Sequence, residues 1–250
     1  PVLIFGETGT GKEMIARACH QSSRRSEGAF LALNCASLPD SVAETELFGY
    51  AEGAFNQPSA KVGLLEQARG GTLLLDEIAD MSHQLQAKLL RVLEDGEFRR
   101  VGDTQPVNVD VRFICTTCRD LGQLVEEGRF RKELYYRLNV LSLVMPSLKE
   151  RRQDIVPLAE AFIAQHSTKL GRRPAKLSKS CVEFLQNYPW PGNVRQLQNA
   201  LFRALSLLDG KEITKEDIQL PSCAPSTTYI DENFDGTLDE EVKKFERDLL

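Results

Sequence analysis

Val2-Leu3-Ile4-Phe5-Gly6-Glu7-Thr8-Gly9-Thr10-Gly11-Lys12-Glu13 stands at the head of the chain: an apolar run, a loop holding three glycines, and a lysine leading into helix-forming residues. An unbroken apolar run of this length reads as a buried strand. Ile15 and Cys19 recur at the helical step of four, so a helix is expected over residues 12–21. Gly6, Gly9 and Gly11 let backbone N–H groups wrap an anion, the following helix adds the positive end of its dipole, and Lys12 has the reach for the β- and γ-phosphates of ATP. The pattern is a P-loop, with Gly6, Glu7, Thr8, Gly9, Thr10, Gly11, Lys12 and Glu13 as its nucleotide-binding residues. The plain alternative is a glycine-rich turn that binds nothing; strand, loop and helix falling in the order the motif needs argues against it. Glu13 takes the place where the general motif has a Ser or Thr hydroxyl for Mg²⁺, so magnesium would rest on waters and on an acid elsewhere.

That acid is offered by Leu73-Leu74-Leu75-Asp76-Glu77, an apolar strand ending in two carboxylates. At a strand end they point into the crevice where ligands sit in open α/β sheets. Asp76 would orient Mg²⁺, largely through water, and Glu77 would polarise an attacking water. Asp-Glu is also an ordinary helix start; it becomes informative downstream of a P-loop.

Further apolar runs at 30–34, 111–117 and 138–145 alternate with helical stretches at 84–93 and 121–127. Such alternation predicts a parallel-sheet α/β core with helices on both faces, its strands buried. After Met145-Pro146 the pattern turns helical, at 154–170, 178–187 and from Gly192, where Val194, Leu197, Leu201, Leu205 and Leu208 form one stripe ending at Asp209-Gly210. The expected organisation is an α/β nucleotide-binding subdomain over residues 1–147, a smaller all-helical lid over 148–221, and a linker with the start of a helix over 222–250.

The chain has 250 residues and 28.0 kDa, with 31 basic against 36 acidic side chains, a net charge of −5 and a pI near 5.4. It lacks the basic excess that gripping DNA by itself requires. No apolar run reaches the length of a membrane span and no secretory leader is visible, so a cytoplasmic location is expected. Six cysteines at irregular spacing predict reduced thiols, and Cys115 and Cys118 fall where strand geometry points them to opposite sides. The three histidines have no metal-ligand spacing. The pairs Arg24-Arg25, Arg151-Arg152 and Arg172-Arg173 read as solvated or interface charges.

With these motifs in view, the chain resembles the AAA+ ATPase domain of the sigma-54 activator family of bacterial transcription regulators, over nearly all of residues 1–220. Beyond the P-loop, the blocks that carry the resemblance are Glu46-Leu47-Phe48-Gly49, Gly70-Gly71-Thr72-Leu73-Leu74-Leu75-Asp76-Glu77-Ile78, Phe98-Arg99-Arg100-Val101-Gly102, Arg137-Leu138-Asn139-Val140 and Trp190-Pro191-Gly192-Asn193-Val194-Arg195. Glu13 is ordinary for that family. The resemblance implies a homo-oligomer between dimer and hexamer, with ATP at subunit interfaces and RNA polymerase as a partner. By position it makes Asn34 the switch residue that holds Glu77 away from water. It makes Arg131 and Arg137 candidate fingers toward a neighbour's γ-phosphate, and Arg195 the sensor arginine of the lid.

Two departures separate branches of the family. Gly53-Ala54-Phe55-Asn56-Gln57-Pro58 stands where the sigma-54-contacting loop reads Gly-Ala-Phe-Thr-Gly-Ala, and Pro58 stiffens it. Thr116-Thr117-Cys118 stands where Ala-Thr-Asn or Ala-Thr-His is usual, and a thiol is a poor donor. Both departures are similar to the branch of regulators that respond to aromatic amino acids. So are Leu33-Asn34-Cys35-Ala36-Ser37-Leu38-Pro39, Arg203-Ala204-Leu205, Asp217-Ile218-Gln219-Leu220-Pro221 and the tail Gly236-Thr237-Leu238-Asp239-Glu240 with Phe245-Glu246-Arg247. That resemblance implies a repressor and activator in which ATP permits tyrosine binding and tyrosine drives assembly, with only weak ATP hydrolysis. It also implies a regulatory region before Pro1 and a helix-turn-helix DNA-binding domain after Leu250. The alternatives are a working sigma-54 remodelling ATPase and an unrelated P-loop enzyme such as a small-molecule kinase, for which no acceptor-substrate site is visible.

Overall fold

The computed structural model describes residues 1–54, 59–208 and 210–220. The loop residues Phe55, Asn56, Gln57 and Pro58, the Asp209 of the expected helix stop, and the expected linker and tail from residue 221 onward lie outside the described residues.

Five parallel strands make the central sheet: β1 (Val2–Phe5), β2 (Phe30–Asn34), β3 (Thr72–Asp76), β4 (Arg112–Thr117) and β5 (Ser142–Val144), side by side in the order 2-3-4-1-5. Alternate residues supply opposite faces, as strand geometry demands. Leu3, Leu73, Leu75, Phe113 and Cys115 enter one large core, while Val2, Ile4, Leu74 and Ile114 enter a smaller one that includes Ala16 of α1 (Lys12–Gln21). The large core is closed by α2 (Asp40–Phe48), α3 (His83–Asp95) and α4 (Lys132–Leu138), through Leu47, Phe48, Leu89 and Leu134.

The expectation of buried strands holds for the three central ones and fails at both edges, where β2 is only partly covered and all of β5 is exposed. A strand with a neighbour on one side only is open to solvent along the other. The strand expected over 138–145 is also shorter than its apolar run: Leu138 closes α4, because Leu134 and Leu138 lie one helical turn apart and both point into the core.

Beyond Pro146 the chain builds a second apolar cluster from α5 (Ile155–Lys169), α6 (Lys179–Asn187) and α7 (Asn193–Leu207). Leu197, Leu201 and Leu205 of the predicted stripe are buried in it around Trp190, whose indole N–H donates to Leu185 O at 2.7 Å. The Ser178 hydroxyl accepts from the Cys181 N–H at 3.1 Å and starts α6. This part is not wholly helical, since Lys176–Leu177 pairs in parallel with Glu212–Ile213, a ladder too short to leave a pattern in the sequence.

Candidate nucleotide site

The glycine loop runs from the end of β1 into α1 and needs left-handed backbone twice, at Gly9 (φ 81°) and Gly11 (φ 98°), where a β-carbon is strained. Lys12, the first residue of α1, is 6% exposed and folds back under the loop. Its ammonium donates to Gly6 O at 2.8 Å and Glu7 O at 3.4 Å, and stands 3.2 Å from Glu77 Oε1. A buried charge is tolerable only with such partners.

Asn34 and Asp76 are register partners on β2 and β3. The Asn34 side-chain N–H donates to Asp76 Oδ2 at 3.0 Å, and its Oδ1 accepts from Ala36 N at 2.9 Å. The amide therefore meets Asp76, where the resemblance had paired it with Glu77. Asp76 also accepts from the Thr116 hydroxyl. Glu77 sits just past the strand with φ 52°, a left-handed conformation costly for a non-glycine. That turn brings its Oε2 within 3.0 Å of the Cys118 N–H. What position 118 offers Glu77 is its backbone, so a poorly donating thiol there leaves this bond intact. The local field is negative: the buried Cys35 thiol is pushed up to about 12, first by burial and then by Asp76, Asp80 and Glu77.

Cys115 lies in the large core and Cys118 lines the crevice. Over the loop lies the helical part, and a crevice of about 860 Å³ runs between them. One wall is Thr8 to Ile15 with Asn34, Asp76 and Glu77; the other includes Leu158, Phe162, Val194 and Arg195. Glu13 is exposed on the loop's flank, ion-paired with Arg17 at 2.8 Å. The crevice brings N–H groups and an ammonium together with the apolar side chains of Leu158, Phe162, Val194 and Met145, a lining that suits an anion carrying an apolar part.

Two residues here escaped the reading of the sequence. Arg151, taken for a solvated charge, reaches back over the loop and donates to Thr10 O at 2.7 Å. Asn193, fully buried with φ 51°, donates to Glu7 Oε2 at 3.0 Å and Thr8 O at 3.1 Å and accepts from Leu148 N at 2.7 Å. An Arg-Arg pair carries no signal of which face it joins; for Asn193 the hint was its place in the Trp190–Arg195 block.

Arg131 and Arg137 do not line the crevice. Both rest on α3, Arg131 Nε donating to His83 O at 3.2 Å and Arg137 to Leu93 O at 3.1 and 2.8 Å through Nε and Nη2. They flank opposite ends of one helix.

Residues 1–144 match the family described as the sigma-54 interaction domain, and residues 149–226 match the AAA+ ATPase lid domain. The HTH-type transcriptional regulatory protein TyrR of Enterobacter agglomerans is 54% identical over 251 residues, covering 100% of this chain and 48% of that protein. The chain thus spans about half of that relative's length. TyrR of Haemophilus influenzae is 44% identical over 250 residues, 100% of this chain and 77% of that protein. The crystal structure of NtrX from Brucella abortus in complex with ADP superposes with a TM-score of 0.81 at 37% identity, covering 98% of this chain and 56% of that one. On these matches, and on the parallel sheet, loop and helical lid that accompany them, the chain belongs to the sigma-54 interaction domain family of AAA+ ATPases, with TyrR-type regulators among its relatives.

Proposed function

We propose that this chain is the ATP-binding, self-associating domain of a TyrR-like regulator, a cytoplasmic repressor and activator of genes for aromatic amino acid metabolism and transport. The observation that carries the reading is 44–54% identity to TyrR proteins over the whole chain, together with an intact phosphate loop. Its organisation would be residues 1–147 for nucleotide, 148–221 as lid, and 222–250 leading toward a DNA-binding domain. In this reading tyrosine is the effector, ATP is the ligand that permits its binding, and assembly runs from dimer to hexamer. A ligand shifts such an equilibrium only through its different affinity for the two states.

The loop residues would bind the phosphates, with Lys12 leaving Glu77 for the γ-phosphate. Mg²⁺ fits the donor set: Asp76 is held by two donors, no hydroxyl stands at position 13, and no cluster of three metal-ligating acids, cysteines or histidines exists among the described residues. The ion would be carried mainly by phosphates and waters, with Asp76 orienting it, and would neutralise phosphate charge. Glu77 would polarise the attacking water, Asn34 would set its neighbour Asp76, Arg195 would report phosphate state to the lid, and Arg131 and Arg137 would act in a neighbouring subunit.

Equilibrium dialysis of tyrosine with and without Mg-ATP, alongside sedimentation, tests the reading. Tyrosine bound only with ATP, with a shift to larger species, is expected; ATP binding without tyrosine binding would overturn the effector assignment. The family match also supports a second reading, a sigma-54 remodelling ATPase. Open-complex formation at a sigma-54 promoter by the full-length protein would favour it.

A further inference from the structure

Three consecutive carbonyls of the glycine loop are each capped by a donor from the helical part. Asn193 Nδ2 donates to Thr8 O at 3.1 Å, the Arg195 backbone N–H to Gly9 O at 3.3 Å, and Arg151 Nη2 to Thr10 O at 2.7 Å. Across a trans peptide the C=O and the next N–H point opposite ways. Donors behind Thr8, Gly9 and Thr10 therefore turn the N–H groups of Gly9, Thr10 and Gly11 toward the inside of the loop. A donor on the carbonyl also polarises the peptide and makes its N–H a stronger donor, and Arg151 brings a full charge to this task. The approach is close enough that a β-carbon on Gly9 would meet Gly192 O at 2.3 Å.

We propose that Arg151 and Asn193 are positioning residues for the nucleotide phosphates, holding the loop from its outer side and passing phosphate occupancy to the helical part through the loop's own peptides. The inference rests on the nucleotide reading above and adds a route distinct from the Arg195 side chain, since Arg195 joins this set only through its backbone. Asn193 is suited to it: one amide ties the loop (Glu7, Thr8), the junction at Leu148 and the start of α7. Arg151 Nε is buried and has no partner among the described residues, so its guanidinium is held by the loop contact and by packing. The loop cannot change shape without moving these side chains.

The test measures Mg-ATP, Mg-ADP and AMP affinities of the full-length protein by competition with a fluorescent ADP analogue, with thermal unfolding of each variant. Arg151→Met should weaken ATP and ADP by about tenfold or more, the loss expected for one charged hydrogen bond, while AMP, which lacks the β- and γ-phosphates, changes by less than about twofold. Arg151→Lys, which keeps a cationic donor, should recover most of it. Asn193→Asp turns the donor on Thr8 O into a carboxylate beside Glu7, and should weaken ATP and ADP binding while changing AMP binding much less. ATP affinity within about twofold of wild type in a folded Arg151→Met variant, or ATP and AMP falling together with the melting temperature, would overturn the inference, as would failure of the Arg151→Lys rescue. If wild type binds ATP no better than Lys12→Ala does, the nucleotide reading fails and this inference with it; tight wild-type binding with Arg151→Met unaffected sinks the inference alone.

Discussion

Lys12 Nζ stands 3.2 Å from the Glu77 carboxylate, joining the end of the glycine loop to the end of β3. In the proposed nucleotide-bound state the ammonium leaves Glu77 for the γ-phosphate, and Glu77 then also faces phosphate charge. Glu77→Gln removes both obstacles and the carboxylate proposed to polarise water. ATP affinity should be retained or improved, with turnover reduced about a hundredfold, while Lys12→Ala abolishes binding. Nucleotide titration and phosphate release check both; unchanged turnover in Glu77→Gln would remove Glu77 from the chemistry.

Arg131 and Arg137 lie along α3, away from the crevice of their own subunit. Arg137→Ala should leave ATP affinity unchanged and cut turnover by up to about a thousandfold. If the arginine acts on a neighbouring subunit's loop, as proposed, mixing it with Lys12→Ala subunits should recover part of that turnover. A co-assembled mixture that stays inactive would place the arginine's action within one subunit.

Gly9 and Gly11 have similar positive φ, yet a β-carbon at Gly9 meets Gly192 O whereas one at Gly11 meets nothing within 4 Å. Gly11→Ala should cost only backbone strain, about 1 kcal/mol, and Gly9→Ala clearly more, because the helical part must lift off the loop. Calorimetric unfolding of the two variants compares them; equal losses would mean that the close approach at Gly192 carries no weight.

His166 is buried between Phe162 and Phe202, and neither ring nitrogen has a partner among the described residues. Burial, and then the charge of Lys169, holds its pKa below the usual histidine value. The folded state thus favours the neutral ring, so the stability this group allows is present above the unfolded value of 6.5 and is lost as pH falls. His166→Phe should raise stability at neutral pH by about 1 kcal/mol by removing an unsatisfied polar ring, and should flatten the decline below pH 6.5. Urea unfolding at pH 7.5 and 5.5 tests this; a variant as acid-sensitive as the wild type would clear His166 of responsibility.

The phosphate loop, the carboxylate pair and the sheet were legible because each is a short, contiguous string whose period or glycine spacing has one structural meaning. The string Leu73-Leu74-Leu75-Asp76-Glu77 states both a buried strand and what stands at its end. Arg151 was not legible, since its partner, the Thr10 carbonyl, is far away in sequence and a backbone oxygen leaves no residue-type signature. Helix α2 escaped for another reason: of the nine residues Asp40–Phe48 only Ala43, Leu47 and Phe48 are buried, too few to stand out as a stripe. Asn34 was placed correctly at a strand end, but its partner depended on register, and register set it beside Asp76.

Strand β5 has a hydrogen-bonded neighbour on one side only among the described residues, and Leu141, Leu143 and Val144 around it are exposed. An unpaired apolar margin is what a misfolding neighbour needs in order to add itself as a sixth strand. Here the invitation is cut short: the strand is three residues long, and Pro146 follows with no N–H to offer. Were copies of this domain to assemble as proposed, they would meet at high local density, and brevity at this margin would limit how far such a meeting could slide into aggregation.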